Sequence, residues 1–406
     1  MINWLSGTGS YYDASARPKW GATTWLAVCL LALYPLVPMP IAGGTKYQIA
    51  LLCALGVLYI LRGQFLSIGK PQFIFLCLSV LLLTWEIIAA SFHGSDQDFL
   101  YVLGRGLWIL NSFLVVIVSA PWVRQGRLDI LVWLISLSLL FLLCAMVIES
   151  TFFPKREIGR QLGAINIPFP RATGVPNSDG KIGTFLIICW SFYLFVRPVT
   201  ARWQSLVLGF GPILGLAFLQ SRSTLMAFAV TFAIYQIVKW ASSRSLVVTT
   251  IRSGFLVATL ILVFGYSNQI IGALTGEGIY YKNVEARFTH IEYGFSEITE
   301  APLFGAGAHS VRDESTEAGI HNTTLAMSVK SGIPAGILIT LITLGPILIF
   351  RRVKFITGYV AACSLGVMTE HLWYPGFINE FLIFSLLLPL TVCCLLYTSP
   401  SPRDRG

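Results

Sequence analysis

The sequence predicts an all-α, polytopic membrane protein, and three observations support this prediction. Hydrophobic residues make up 55% of the 406-residue chain, and charged residues only 12%. A soluble protein carries a much larger charged share. The mean hydropathy is +0.73. The apolar runs are each about 17–23 residues long, enough for a helix to cross roughly 30 Å of hydrocarbon.

About twelve apolar runs are candidate transmembrane helices. Their approximate limits are residues 21–40, 47–61, 73–92, 100–123, 130–150, 182–197, 204–220, 223–240, 252–271, 334–350, 355–371 and 377–396. We expect one integral membrane domain over residues 1–396, with no removable signal peptide before the first run. Residues 397–406 resemble translated adapter sequence and are expected to be a non-native tail.

The distribution of lysine and arginine predicts how the chain is oriented. The net charge is +9, but there is no basic amphipathic helix or arginine-rich tract, so nucleic acid is not a predicted partner. Most basic residues lie in short connections on one side of the membrane, and the positive-inside rule then puts both termini in the cytoplasm. Two long loops, at about 151–181 and 272–320, and a short helix at about 321–332 are expected on the outer face.

His321 is the first candidate for chemistry. It opens the segment His321-Asn322, which follows the polar loop and precedes Gly332-Ile333-Pro334. An imidazole can take up a proton near neutral pH. A lone histidine at a helix start is also a common interfacial residue, so both interpretations remain open at this point.

Arginines are the candidate cations for a phosphate, because a guanidinium binds two phosphate oxygens and does not deprotonate. Arg222 follows Ser221 at a tight outer turn, and Arg287 lies in the long polar loop. The alternative for Arg222 is an arginine that reaches to the membrane interface, and for Arg287 a surface ion pair. Arg171 is a weaker candidate that could simply order its loop.

Two charged residues lie within predicted spans. Glu86 and Arg105 are each expected about 7–9 Å below the outer end of their helices, where an isolated charge is costly. We therefore predict that they pair with each other. The pair could be structural, or Arg105 could also reach a phosphate.

Metal binding has weak support in the sequence. Asp96-Gln97-Asp98 has the Asp-x-Asp spacing with which many sugar transferases hold a divalent cation, but two such carboxylates are common by chance. The eight cysteines lie within apolar runs without Cys-x-x-Cys spacing. We expect no metal and no cofactor.

Several short motifs resemble the bacterial O-antigen ligase and O-antigen polymerase superfamily of membrane glycosyltransferases. One is His321-Asn322 followed after nine residues by Gly332-Ile333-Pro334. The others run from Arg171 to Asn177, at Ser221-Arg222, and from Arg287 to the block Pro302-Leu-Phe-Gly-Ala-Gly307. The chain departs from the family pattern at Ala335, Phe295 and Lys330, where glycine, tryptophan and an acidic residue are more usual.

The resemblance implies the fold and the chemistry. The fold would be that of a C-type glycosyltransferase, with a large periplasmic loop before the tenth span, in the bacterial inner membrane. Such proteins take a glycan from undecaprenyl pyrophosphate and attach it to an acceptor in lipopolysaccharide biosynthesis. By this resemblance, His321, Arg222 and Arg287 are the predicted catalytic residues. The predicted substrate-binding residues are Arg105, Arg171, Asn322, Lys282 and Arg312.

Two alternatives remain at the level of sequence. A ligase uses lipid A–core oligosaccharide as acceptor, whereas a polymerase uses a second lipid-linked repeat unit. A flippase for lipid-linked sugars would also need arginines facing an anionic headgroup. It is less favoured, because the sequence shows no paired halves with interrupted spans.

Overall fold

The computed structural model describes residues 21–33, 45–63, 70–124, 128–152, 161–162, 165–166, 179–196, 200–219, a few positions between 228 and 235, 279–307, 310, 312–313, 318–320 and 322–350. The described residues include ten α-helices with defined bounds, a few helical positions between 228 and 235, and two antiparallel pairs of two-residue strands. Apart from these two short strand pairs, this agrees with the predicted all-α class.

The helices are α1 (Ala22–Ala32), α2 (Thr45–Leu61), α3 (Lys70–His93), α4 (Asp96–Arg124), α5 (Leu128–Phe152), α6 (Asp179–Val196), α7 (Arg202–Leu219), α8 (Ile279–Glu300), α9 (Thr323–Ser331) and α10 (Ile333–Phe350). The strands are β1 (Gln161–Leu162), β2 (Ile165–Asn166), β3 (Arg312–Asp313) and β4 (Ala318–Gly319). β1 pairs with β2, and β3 pairs with β4.

Within the described ranges, two helical segments are long and apolar enough to cross a membrane, namely Phe73–His93 in α3 and Arg202–Leu219 in α7. Shorter apolar segments occur in α1, α2, α5, α6 and α10. The predicted spans at about 252–271, 355–371 and 377–396 and the tail at 397–406 lie outside the described residues. The number of spans therefore stays a prediction.

The helices pack around an apolar core. α5 packs against α1 and α7, α6 against α7, and α4 against α2 and α3, while α3 also contacts α10. Gly215 of α7 allows close approach, because a Cβ there would lie 2.8 Å from a methyl carbon of Leu186 in α6. Many outward-facing side chains are large and apolar, including Leu61 at 79% and Phe210 at 69% exposure. Such surfaces are unusual in a water-soluble monomer.

The polar segment predicted as a loop at about 272–320 contains a long helix. α8 occupies Ile279–Glu300, and the two-residue strands β3 and β4 follow it. α8 forms because its apolar residues recur at helical spacing, with Ile291, Gly294 and Ile298 on one face. This face packs against α9, which carries Leu325 and Val329 into the same cluster.

Candidate functional site

The site can be built outward from α9, the short helix that follows His321. Asn322 has extended backbone angles, and its side-chain oxygen accepts a hydrogen bond of 2.9 Å from the Leu325 amide. Asparagine is among the best residues at this capping position, because it satisfies an amide that has no partner within the helix. Asn322 therefore fixes where α9 begins. His321 itself lies outside the described residues.

Gly332 ends α9 and starts the turn into α10. Its φ of 87° lies in the left-handed region, and a Cβ at this position would overlap the carbonyl oxygen of Leu303. α10 then begins at Ile333, with Pro334 in its first turn, as predicted for a proline at a helix start. α9 folds back along α10, so that Thr324 and Thr340 share a hydrogen bond of 2.8 Å between their hydroxyls.

The loop from Pro302 to Gly307, called the 302–307 loop, is hydrogen-bonded to the end of α9. The amides of Ala306 and Gly307 donate to the carbonyls of Val329 and Lys330, at 2.7 and 3.2 Å. The amide of Ile333 donates to the Pro302 carbonyl at 2.9 Å. Two motifs recognised separately in the sequence thus form one structural unit.

α8 runs in the same direction as α9. Gly294 lies against Leu325, and the carbonyl of Pro302, just after α8, accepts a hydrogen bond from the Ile333 amide. The two partners are equally far apart in the sequence in both contacts, so the two segments advance in the same direction. One turn before Gly294, His290 is 3% exposed. The backbone of Arg287 is about 10 Å before Gly294 along α8, toward the N-terminal ends of the two helices.

α3 supports this unit from the other side. Its buried Glu86 accepts an ion-paired hydrogen bond of 3.4 Å from Lys330 of α9, and these side chains are 0% and 5% exposed. The indole Nε1 of Trp85 donates to the carbonyl oxygen of Ser331 at 2.9 Å. Phe304 of the 302–307 loop stacks on the rings of Trp85 and Phe92, with centroid distances of 5.7 and 4.0 Å.

The ion pair gives Glu86 a partner that we did not predict. We predicted Arg105 of α4 as its partner, and the structure shows Lys330 of α9 beside the carboxylate. The side chain of Arg105 lies outside the described residues, so a further contact with Arg105 stays a prediction. Lys330, noted in the sequence only as a departure from the family pattern, is the cation that α9 brings to α3.

His93 connects the end of α3 to the same loop. Its Nε2 lies 2.8 Å from the Gly305 carbonyl oxygen, and Nε2 carries the proton there because a carbonyl only accepts. Its Nδ1 lies 3.8 Å from Oδ2 of the buried Asp98. Asp96 and Asp98 occupy the first turn of α4, where the positive end of the helix dipole stabilises a carboxylate. Among the residues that the structure describes, no group of three or more histidine, cysteine or acidic side chains could hold a metal.

The other predicted site residues are described in part or not at all. Lys282 and Arg287 lie on α8, Arg105 on α4 and Arg312 in β3, opposite Gly319, and only their backbones are described. Arg171 and Arg222 lie outside the described residues.

A comparison with protein families supplies the remaining finding. The family model described as O-antigen ligase matches residues 205–340. This segment is therefore similar to the O-antigen ligase family. The match confirms the predicted resemblance to the O-antigen ligase superfamily, whose members are membrane proteins. It includes α7 from residue 205 onward, all of α8 and α9, and the start of α10. No curated protein and no solved structure matches the chain.

The contacts of α3 with the segment that resembles the O-antigen ligase family were missed in the sequence. Trp85, Glu86 and His93 precede the matched segment by more than a hundred residues. The sequence did contain one indication of these contacts: the polar groups of Trp85, Glu86 and His93 interrupt a strongly apolar run. Trp85, Phe92 and His93 also recur at spacings that bring them to one side of a helix.

Proposed function

We propose that this protein is an O-antigen ligase-like glycosyltransferase. It moves a glycan from undecaprenyl pyrophosphate to lipid A–core oligosaccharide on the periplasmic face of the bacterial inner membrane. The observation that carries the proposal is the O-antigen ligase match over residues 205–340. The same match supports the general activity, which is that of a ligase or polymerase acting on lipid-linked glycans. The donor, the acceptor and the roles of individual residues are proposals.

The packing of α8 against α9 supports the assignment of roles. α8 carries Arg287, α9 begins directly after His321-Asn322, and the two helices run side by side in the same direction. The backbone of Arg287 lies about 10 Å before Gly294 along α8, and Gly294 contacts Leu325 in the first turn of α9. A cation and an imidazole on these two elements can therefore serve one substrate.

The reaction is a single displacement at the anomeric carbon. The oxygen of an acceptor hydroxyl forms the new glycosidic bond while the bond to the pyrophosphate oxygen breaks, which inverts the anomeric centre. His321 accepts the hydroxyl proton. The electron pair leaves with undecaprenyl pyrophosphate, and Arg222 and Arg287 stabilise the negative charge that develops on its oxygens. The reaction as proposed requires no metal.

The remaining predicted residues assist binding. Arg105, Arg171, Lys282 and Arg312 attract the anionic donor and the phosphorylated core, and Asn322 contacts the acceptor next to His321. The chain crosses the membrane about twelve times, with both termini cytoplasmic. The polar segments at about 151–181 and 272–320 and the helix within 321–332 face the periplasm.

The test supplies purified protein in nanodiscs with a glycan on undecaprenyl pyrophosphate and one of two acceptors. Glycosylated lipid A–core is the expected product, and EDTA is expected to leave its rate unchanged. Growth of the lipid-linked glycan without lipid A–core product would instead identify a polymerase. Transbilayer movement of the donor with no new glycosidic bond would identify a flippase and overturn the proposal.

A further inference from the structure

We propose that the buried Glu86–Lys330 pair is a positioning device of the transfer site, which holds α9 at the angle that its first residues need for chemistry. This inference rests on the proposed function. Glu86 belongs to α3, outside the O-antigen ligase match, whereas Lys330 lies at the end of α9 within it. The pair joins a helix of the membrane bundle to the helix that begins next to His321.

The geometry explains how a contact at one end of α9 acts at the other. α9 is a single nine-residue helix, and eight residues separate Lys330 from the capping Asn322. This corresponds to about 12 Å along the axis. Because a helix this short moves as one piece, a rotation or slide at Lys330 is carried to Asn322 and its neighbour His321.

The ion pair adds a lateral restraint on this rotation, on the side of α9 that faces α3. Ala306, Gly307 and Trp85 all bind backbone carbonyls of residues 329–331. These carbonyls lie at the C-terminal end of α9, so the hydrogen bonds to them fix the position of the helix along its axis. On the side that faces α10, the hydroxyls of Thr324 and Thr340 share a hydrogen bond. On the side that faces α3, Lys330 is the charged side chain among the described contacts that extends sideways from α9, so it fixes the angle about the axis on that side.

The burial of the pair favours positioning over simple stabilisation. The side chains of Glu86 and Lys330 are 0% and 5% exposed, so both ions have lost their hydration. Replacing such a pair with neutral side chains of similar volume is often neutral or stabilising, whereas removing one partner is costly. A pair of this kind specifies one arrangement, since an apolar contact tolerates small rotations that an ion pair does not.

The test uses variants that separate stability from positioning. Glu86→Gln removes one charge, Glu86→Gln with Lys330→Met removes both, and Glu86→Lys with Lys330→Glu reverses the pair. Glu300→Gln is the matched control, because Glu300 is exposed at the end of α8. For each variant, kcat, the donor KM, Tm and hydrogen exchange of the peptide covering residues 320–333 are measured.

We expect Glu86→Gln to lower kcat by about 100-fold, with the donor KM within about threefold of the original, because misplacement by about 1 Å can have such an effect on the chemical step. The neutral double variant is expected to recover Tm but to keep a low kcat and fast exchange in α9. The reversed pair is expected to recover kcat to within about tenfold.

Recovery of both Tm and kcat in the neutral double variant would overturn the inference, because the pair would then be needed only for stability. If the reversed pair does not fold, the neutral double variant still decides. Hydrogen exchange needs no substrate. If the unmodified protein transfers no glycan, the proposed function fails, while exchange in residues 320–333 still shows whether the pair orders α9.

Discussion

The indole of Trp85 donates a hydrogen bond of 2.9 Å to the carbonyl oxygen of Ser331, the last residue of α9. This bond connects α3 to the end of α9, where the helix leaves carbonyls without partners. Phe304, which stacks on Trp85, lies in the loop that binds the same end. α3 therefore acts as the scaffold on which the two family motifs meet.

Replacing Trp85 with phenylalanine should remove this donor and keep most of the aromatic packing. We expect a loss of about 1–2 kcal/mol of stability, because the Ser331 carbonyl loses its donor in a partly buried place. A lower Tm in a fixed detergent measures the effect. The control is Trp25→Phe, on the more exposed α1. Equal Tm values for the two variants would show that the indole bond has no role.

Gly305→Ala should disrupt the contact between the 302–307 loop and α9. Gly305 has a φ of 74°, and a Cβ there would lie 2.5 Å from the Val329 carbonyl oxygen. Gly63 is a matched control, since its φ is 70° and nothing lies within 4 Å of its added Cβ. Both variants share a strain of about 1 kcal/mol.

Only Gly305→Ala adds a collision with backbone. We therefore expect Gly305→Ala to lower both Tm and glycan transfer, while Gly63→Ala lowers Tm slightly and keeps transfer. Similar losses of transfer in the two variants would mean that backbone strain, and not the contact with α9, is responsible.

Asn322 has two roles that substitutions can separate. Asn322→Ala removes the cap of α9 and should destabilise the helix by about 1 kcal/mol. Asn322→Ser keeps a capping oxygen but loses the amide group proposed to contact the acceptor. Hydrogen exchange in α9 should therefore stay slow in the serine variant, while its KM for lipid A–core rises severalfold. An unchanged KM would limit Asn322 to capping.

Arg287 should act on the lipid-linked donor through both its charge and its paired hydrogen bonds. Arg287→Ala is expected to lower kcat/KM for the lipid-linked donor by about 100-fold or more, and Arg287→Lys to recover part of this loss, because lysine keeps the charge but not the paired hydrogen bonds. Arg62→Ala is the control, at an exposed position after α2. Comparable losses in the Arg62 and Arg287 variants would indicate a nonspecific electrostatic effect.

The sequence predicted those parts of the site that depend on neighbouring residues. The short helix expected at about 321–332 corresponds to α9. The capping and turn preferences that explain its ends, at Asn322 and Gly332, act over a few positions. The apolar runs predicted most of the described helices for the same reason. Local chemistry was sufficient in these cases.

Other features depend on the three-dimensional arrangement. Arg105 of α4 was predicted as a partner of Glu86 from membrane depth alone, and depth gives no indication that Lys330 lies beside the same carboxylate. Lys330 meets it because α9 packs beside α3. α8 was predicted as loop because of its high charge, although Ile291, Gly294 and Ile298 carry helical spacing. That apolar face stabilises the helix only when α9 packs against it.

The most direct measurement is a double-mutant cycle on glycan transfer with Arg287→Ala, His321→Ala and the combined variant. If the two side chains serve one transition state, the combined loss in kcat should be close to the larger of the single losses, because groups that act as a unit are strongly non-additive. Losses that multiply, or full turnover in His321→Ala, would contradict a shared site for the departing pyrophosphate and the attacking hydroxyl.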